Sequence, residues 1–379
     1  MTAPGGTVYD RSMTLVVVGA GLAGAKAVEA AREAGYDGKV VLVGEEESAP
    51  YERPPLSKQV FRGEKPPESA RVHDEGFYDE HHVELRTGDR VTELDLTDRT
   101  VHVGDEVLPY DRLVLAMGAR PRRLDVPGAD LPGTHYLRTV EDSARLAEAV
   151  RGAGRVAVIG GGWIGSEVAA SARQLGADVV MIDPTPTPLH GVLGAEIGAS
   201  FAQLHRDHGV ALRMGTGVAS LTGSGRVEGV VLTDGSTEAA DVVVVGVGAV
   251  PNTELAQAAG LAVDNGIVVD ERLRTGVPGV LAAGDVASAF HPHYDRHVRV
   301  EHWANALNQG AAAGRNAVGD PQVYDRLPYF YSDQYDLGME YVGLAGKDDH
   351  VTVRGDREGL QFLAFYHRAG RVTAALTVN

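Results

Sequence analysis

A chain of 379 residues with a 44% hydrophobic fraction and 48 glycines has room for two or three domains with sizeable cores. It has no cysteine, which excludes disulfide scaffolds, a redox-active dithiol and Cys-ligated zinc or iron–sulfur sites, and suits a reducing compartment. A formal charge of −17 argues against a broad nucleic-acid-binding face, and no run reaches the roughly 18 apolar residues of a membrane span.

The opening MTAPGGTVYDRS lacks the long apolar stretch of a secretory signal and reads as a loose tail, with Met13 as an alternative start. TLVVV (14–18) is a short buried strand that runs into Gly19-Ala-Gly21-Leu-Ala-Gly24. A helix follows to Ala34 and stops at Gly35; KVVLV (39–43) is the next strand, ending at Glu45 and Glu46. Strand, glycine turn, helix, strand and acid form the context that a dinucleotide fingerprint requires. The apolar run 113–117 predicts another strand, closed by Gly118.

The arrangement then repeats. RVAVI (155–159) leads into Gly160-Gly-Gly162-Trp-Ile-Gly165, a helix to Leu175, and a strand at 178–182 ending at Asp183. Residues 241–248, DVVVVGVG, predict a strand followed by glycines; 276–287 predict a short strand meeting Gly284 and Asp285, then a helix carrying Trp303. From about 329 the βα rhythm gives way to a mainly β pattern.

In each fingerprint the first glycine permits the tight turn, the second leaves room for a pyrophosphate, and the third lets helix and strand pack closely. The helix N-terminus then faces the phosphates. A tight turn without ligand is the alternative. Glu45 or Glu46 is expected to accept from an adenosine ribose, against a solvated acidic loop. Asp183 is expected to bond a ribose 2′-hydroxyl and repel a 2′-phosphate. No Arg stands in PTPTP (184–188), which favours NADH over NADPH; a loop-capping Asp is the alternative.

Several longer segments resemble the FAD-dependent, NAD(P)H-using ferredoxin and rubredoxin reductases of bacterial oxygenase and cytochrome P450 systems. These are VVGAGLAGAKAVEAAR, PYERPPLSK (50–58), LVLAMGARPR (113–122), VIGGGWIGSEVAA (158–170), GVGAVPN (246–252), GVLAAGDVA (279–287), VEHWANALNQGAAAGRNAVG (300–319) and LPYFYSDQYD (327–336). The resemblance implies an α/β, glutathione-reductase-like fold of two Rossmann-like domains plus a smaller C-terminal α+β domain. The expected boundaries are 13–120 and 249–326 for the FAD domain, 121–248 for the NADH domain and 327–379 for the last. Relatives usually continue some tens of residues beyond AALTVN, so the last domain is expected to be incomplete.

The same resemblance assigns roles. The first fingerprint would bind FAD and the second NADH. Arg53 and Lys58 would line the flavin, Lys58 pairing with Glu167; a surface lysine at the start of an exposed helix is the alternative. Arg120 would contact FAD, and Asp285 would bond the ribityl hydroxyls unless it merely caps a helix. Trp303 and Ala304 would border the isoalloxazine, against plain core packing for the Trp. Val91, Ala116, Gly284 and Gly248 complete the cofactor-binding set, and Glu301 is a further candidate at the nicotinamide. Lys58, Glu167 and Trp303 are the catalytic candidates. Tyr331 stands where many relatives carry tryptophan.

His291, His293, His297 and His302 match no compact zinc signature, and no metal is expected. The resulting expectation is a cytoplasmic NADH-dependent reductase, monomer or weak dimer, in which NADH reduces FAD and electrons pass singly to a small iron–sulfur ferredoxin. Neither nucleic acid nor membrane is an expected partner. Arg296, Arg299 and Arg315 are the candidate docking patch. An NADH oxidase or diaphorase, and a non-enzymatic NADH-sensing flavoprotein, are the alternatives.

Overall fold

The computed structural model describes residues 13–379, so the reading of the MTAPGGTVYDRS tail lies outside the described residues. Two compact units emerge, both discontinuous in sequence. The first holds residues up to Glu52, Ala70–Arg120 and Pro251–Pro328; the second holds Arg53–Ser69, Pro121–Val250 and Tyr329–Asn379. In chain order the longer helices are α1 (Leu22–Glu33), α2 (Val140–Arg151), α3 (Trp163–Gln174), α4 (His190–Asp207, kinked at Gly194) and α5 (Trp303–Ala317).

In the first unit a five-stranded parallel sheet runs in the order Val280–Ala282, Arg112–Leu115, Thr14–Val18, Lys39–Val43, Val83–Arg86. Its central strands are continuous apolar runs because both faces are covered. Helix α5 packs tightly on α1. A Cβ on Gly310 or Gly314 would run into the carbonyl oxygens of Ala23 and Ala27, so only glycine allows this approach.

The second unit repeats the plan. Its parallel sheet has the order Ala211–Met214, Asp178–Asp183, Arg155–Ile159, Val242–Val245, Thr134–His135. In both sheets the strand before the glycine turn is central. In both, a three-stranded antiparallel meander precedes the next sheet strand: Val91–Asp95, Thr100–Val103 and Glu106–Pro109 in the first, Val218–Thr222, Gly229–Leu232 and Thr237–Ala239 in the second. The strands expected at 113–117 and 241–248 stop at Leu115 and Val245. There the chain must cross the fingerprint turn, where the Ala116 and Gly246 carbonyls abut Gly19 and Gly160.

Residues beyond Tyr329 form a five-stranded antiparallel sheet, in the order Tyr329–Gln334, Leu337–Gly343, Arg371–Val378, Gln361–Arg368, His350–Asp356. No helix occurs in this stretch among the described residues. The helical layer comes instead from α4, whose Leu193, Ile197, Phe201 and Leu204 share one apolar core with Phe330, Met339, Tyr366 and Leu376.

Candidate functional site

The two glycine turns are built alike. Gly19 and Gly160 take φ of 109° and 106°, and each donates its N–H at 2.8 Å to a carbonyl near the end of the adjoining strand, that of Val43 or Ile182. Gly21 and Gly162 cap α1 and α3 in an extended conformation without a side-chain cap. A Cβ on either would meet no protein atom within 4 Å. A Cβ on Gly24 or Gly165 would strike the carbonyl oxygen of Gly19 or Gly160. The first-turn amides of each helix therefore face a bare backbone cradle, the form that accepts a pyrophosphate.

The acids at the strand ends differ. Glu45 is exposed and ion-paired with Arg90 at 3.6 Å, whereas Glu46 is half-buried and accepts from the Tyr51 hydroxyl. Asp183 is fixed by the Gly161 N–H (2.7 Å), the Thr185 N–H (2.8 Å) and the Thr185 hydroxyl. A carboxylate has about four acceptor positions, so these three donors orient Asp183 and leave one for a sugar hydroxyl.

Within the first unit, Gly284 (φ 79°) gives its N–H to the Gln309 side chain at 2.9 Å and sits against the methyl of Ala23 on α1. That contact brings the half-buried Asp285 to the start of α1. Trp303 opens α5, followed by buried Ala304. Beside them, burial pushes the His302 imidazole down to about 4 against the opposing charge of Asp285. Ala116 is buried against Gly19, and Val91 lies in the core at the start of the first meander. Arg120 is engaged elsewhere on its own unit. It is exposed and donates to Asn252 (3.0 Å) and Glu254 (2.6 Å).

Within the second unit, the Gly248 carbonyl accepts from the Arg122 N–H at 2.9 Å, and Arg53 donates to the Arg138 carbonyl. Lys58 is no surface lysine. It is 4% exposed and pairs at 2.9 Å with Glu167 of α3, itself 5% exposed. Its helix is anchored by Phe61, fully buried in the core beside Leu146 and Val168. The Lys58 ammonium also donates to the Pro54 carbonyl (3.2 Å) and lies 5.5 Å from the centre of the Tyr331 ring.

The pyridine nucleotide-disulphide oxidoreductase family model matches residues 13–310, and the reductase C-terminal model matches 329–379. The anthranilate 1,2-dioxygenase system ferredoxin–NAD(+) reductase component of Burkholderia cepacia is 43% identical over 367 residues, covering 96% of this chain and 90% of the relative. The chain belongs to the FAD-dependent ferredoxin reductases. Rhodocoxin reductase of Rhodococcus erythropolis is 40% identical over 97% of the reductase and 86% of its own length. The solved ferredoxin reductase from Rhodopseudomonas palustris superposes with a TM-score of 0.94 at 38% identity, covering 97% and 91% of the two chains. The covalent putidaredoxin reductase–putidaredoxin complex gives a TM-score of 0.94 and 38% identity over 98% of the reductase and 90% of that chain.

The expected basic patch of the reductase does not form from its three arginines. Arg299 is bound to Glu301 at 2.6 Å, which also engages that candidate acid. Arg315 is bound to Glu33 (3.0 Å) and Asp320 (3.1 Å), and lies about 18 Å along α5 from Trp303. Arg296 is left exposed in its hairpin. Among the described residues no group of three or more His, Asp or Glu side chains is placed to hold a metal ion. His291 is taken up by the Arg326 carbonyl at 3.0 Å. No described helix is long and apolar enough to cross a membrane. Residues not singled out from sequence are Gln309, Thr185, Ser57 and Ser332; the Gly310–Gly314 spacing at i, i+4 was the one readable signal among these contacts.

Proposed function

We propose that this reductase takes hydride from NADH and passes its two electrons one at a time, with release of the proton, to a small iron–sulfur ferredoxin serving a cytochrome P450 or an oxygenase. Electron transfer from NAD(H) to a ferredoxin is the reaction of the family to which it belongs. Bound FAD supplies the passage from a two-electron donor to a one-electron acceptor. The observation that carries the reading is the twin cradle, built once in each unit with matching dihedrals.

In this reading the FAD domain comprises 13–120 and 249–326, the NADH domain 121–248, and the C-terminal domain 327–379. Gly19, Gly21 and Gly24 seat the FAD pyrophosphate on α1, Glu46 receives the ribose, and Asp285 receives the ribityl chain. Ala116, Gly284, Trp303 and Ala304 border the cofactor. Arg53, Val91 and Arg120 enter the set on the family resemblance alone. Gly160, Gly162 and Gly165 seat the NADH pyrophosphate on α3, with Gly248 beside it. Asp183 accepts the ribose 2′-hydroxyl and disfavours a 2′-phosphate by charge. Lys58 and Glu167 enter the set as a buried cation and its carboxylate, and their role toward the reduced ring rests on the family resemblance. None of these residues has to move a proton in the hydride step; their work is orientation and electrostatics. The reductase works in the cytoplasm as a monomer or weak dimer.

The test has two parts. The chromophore released by denaturation is identified; FMN, or no flavin after reconstitution, refutes the reading. NADH-driven cytochrome c reduction is then measured with and without candidate ferredoxins. Stimulation by a ferredoxin supports the assignment. Full turnover without one, and none gained from any, makes the protein a diaphorase or oxidase.

A further inference from the structure

The buried pair Lys58–Glu167 is held by more than its own charges. Oε1 of Glu167 accepts from the Ser332 hydroxyl (2.7 Å) as well as from Lys58, and Oε2 accepts from the Ser57 hydroxyl (2.5 Å). Ser332 is 1% exposed and itself receives the Gln334 side-chain amide at 3.3 Å. A buried ion pair is reproducible in geometry only when further hydrogen bonds fill the remaining acceptor positions, because desolvation otherwise offsets the Coulomb attraction. Neighbouring residues of strand Tyr329–Gln334 reach both members of the pair: Ser332 meets the carboxylate and Tyr331 the ammonium. Glu167 comes from α3 and Lys58 from the Arg53–Ser69 segment, so three stretches remote in sequence converge on one charge.

We propose that Ser332 is a positioning residue for the reaction. Through Glu167 it keeps the Lys58 ammonium at one fixed point, so a strand of the C-terminal sheet sets where that cation stands. This rests on the role given to Lys58 above, and the experiment separates the two.

Flavin-loaded full-length protein is prepared with Ser332→Ala, Ser332→Thr and Lys58→Met. The flavin midpoint potential and visible spectrum, the limiting rate of reduction at saturating NADH, the NADH Kd and the Tm are measured. Ser332→Ala is expected to lower the limiting rate about tenfold, the size of one charge-assisted hydrogen bond. The midpoint potential shifts in the same direction as in Lys58→Met, the Kd stays within about twofold of wild type by the same reasoning, and Ser332→Thr restores both rate and potential. If Lys58→Met moves the potential and Ser332→Ala does not, the positioning role is refuted while the reading of Lys58 stands. If neither moves it, the reading of Lys58 is itself refuted. A fall in Tm alone also overturns the proposal, since a merely structural serine would behave so. Should Ser332→Ala not fold, Ser332→Val replaces it against the equal-volume Ser332→Thr, and equal rates in that pair overturn the proposal.

Discussion

Replacing Gly162 and Gly165 one at a time separates binding from folding at the second cradle. At Gly162 an added methyl meets no protein atom within 4 Å, and φ −76°, ψ −171° is ordinary for alanine. Alanine caps a helix less well than glycine, by about 0.5–1 kcal/mol, but it restricts the unfolded chain by about 0.4–1 kcal/mol. The two offset, so Gly162→Ala should leave the unfolding free energy within about 0.5 kcal/mol of wild type. The methyl nevertheless stands where a pyrophosphate must approach the α3 amides. Forcing a methyl into a packed contact costs about 1–3 kcal/mol, which corresponds to a roughly 5- to 150-fold rise in the Kd for NAD+. Gly165→Ala should behave oppositely, because its methyl strikes the Gly160 carbonyl and α3 has to slide. Its unfolding free energy should fall by about 1–3 kcal/mol. Calorimetric titration with NAD+ and denaturant unfolding of the flavin-loaded protein measure both quantities. Wild-type affinity in Gly162→Ala, or equal loss of stability in the two variants, would refute the cradle as drawn.

Three further outcomes are expected. Asp183→Ala should raise the KM for NADH by roughly ten- to hundredfold, as for a lost hydrogen bond to a charged group, and narrow the NADH over NADPH preference; steady-state reduction of an artificial acceptor measures it, and a wild-type enzyme preferring NADPH sinks the argument. Phe61→Ala should cost about 3–5 kcal/mol of stability, read from the unfolding midpoint, because the side chain is wholly buried in the second unit's core; a cost under about 1 kcal/mol would contradict that placement. Burial pushes His205, bonded to the Tyr335 hydroxyl at 3.0 Å, down to about 4. The unfolded chain binds that proton near pH 6.5, so His205's contribution is complete above about pH 6.5 and is lost as pH falls towards 4, by up to about 1.4 kcal/mol per pH unit. Urea unfolding from pH 7 to 5 should therefore be flatter in His205→Gln than in wild type, and an identical slope would exclude the effect.

Legibility followed how local the cause was. The strands 14–18, 39–43 and 155–159 and the helices after each glycine turn were readable because apolar run, glycines and terminal acid lie within thirty-odd residues. The meanders at 91–109 and 218–239 were not, since their three- to five-residue strands are half exposed and alternate weakly. Between Glu45 and Glu46, only the fold could choose, by burying one against Tyr51 and leaving the other to Arg90. PPLSK reads as a proline turn before an exposed helix start; that Lys58 is buried depends on Phe61 and Glu167, partners its own neighbourhood does not announce. The basic patch failed for the same reason, because Glu33 and Asp320 neutralise Arg315 from outside the segment that suggested it. The mainly β pattern after residue 329 was readable, whereas the packing of its sheet on α4, far earlier in the chain, was not.

The discontinuity of the two units governs their order of completion on the ribosome. The parallel sheet of the second unit closes within Thr134–Val245, a single uninterrupted stretch. The first sheet begins at Thr14 but lacks its edge strand until Val280–Ala282 is made, and α1, though it lies on the early strands, lacks its helix partner until α5 has emerged. The earliest-synthesised half is thus the last to acquire its core, and its exposed Val- and Leu-rich strands must wait through more than half of translation. A nascent chain stalled before α5 would carry a finished second sheet and an open first one, vulnerable to proteolysis.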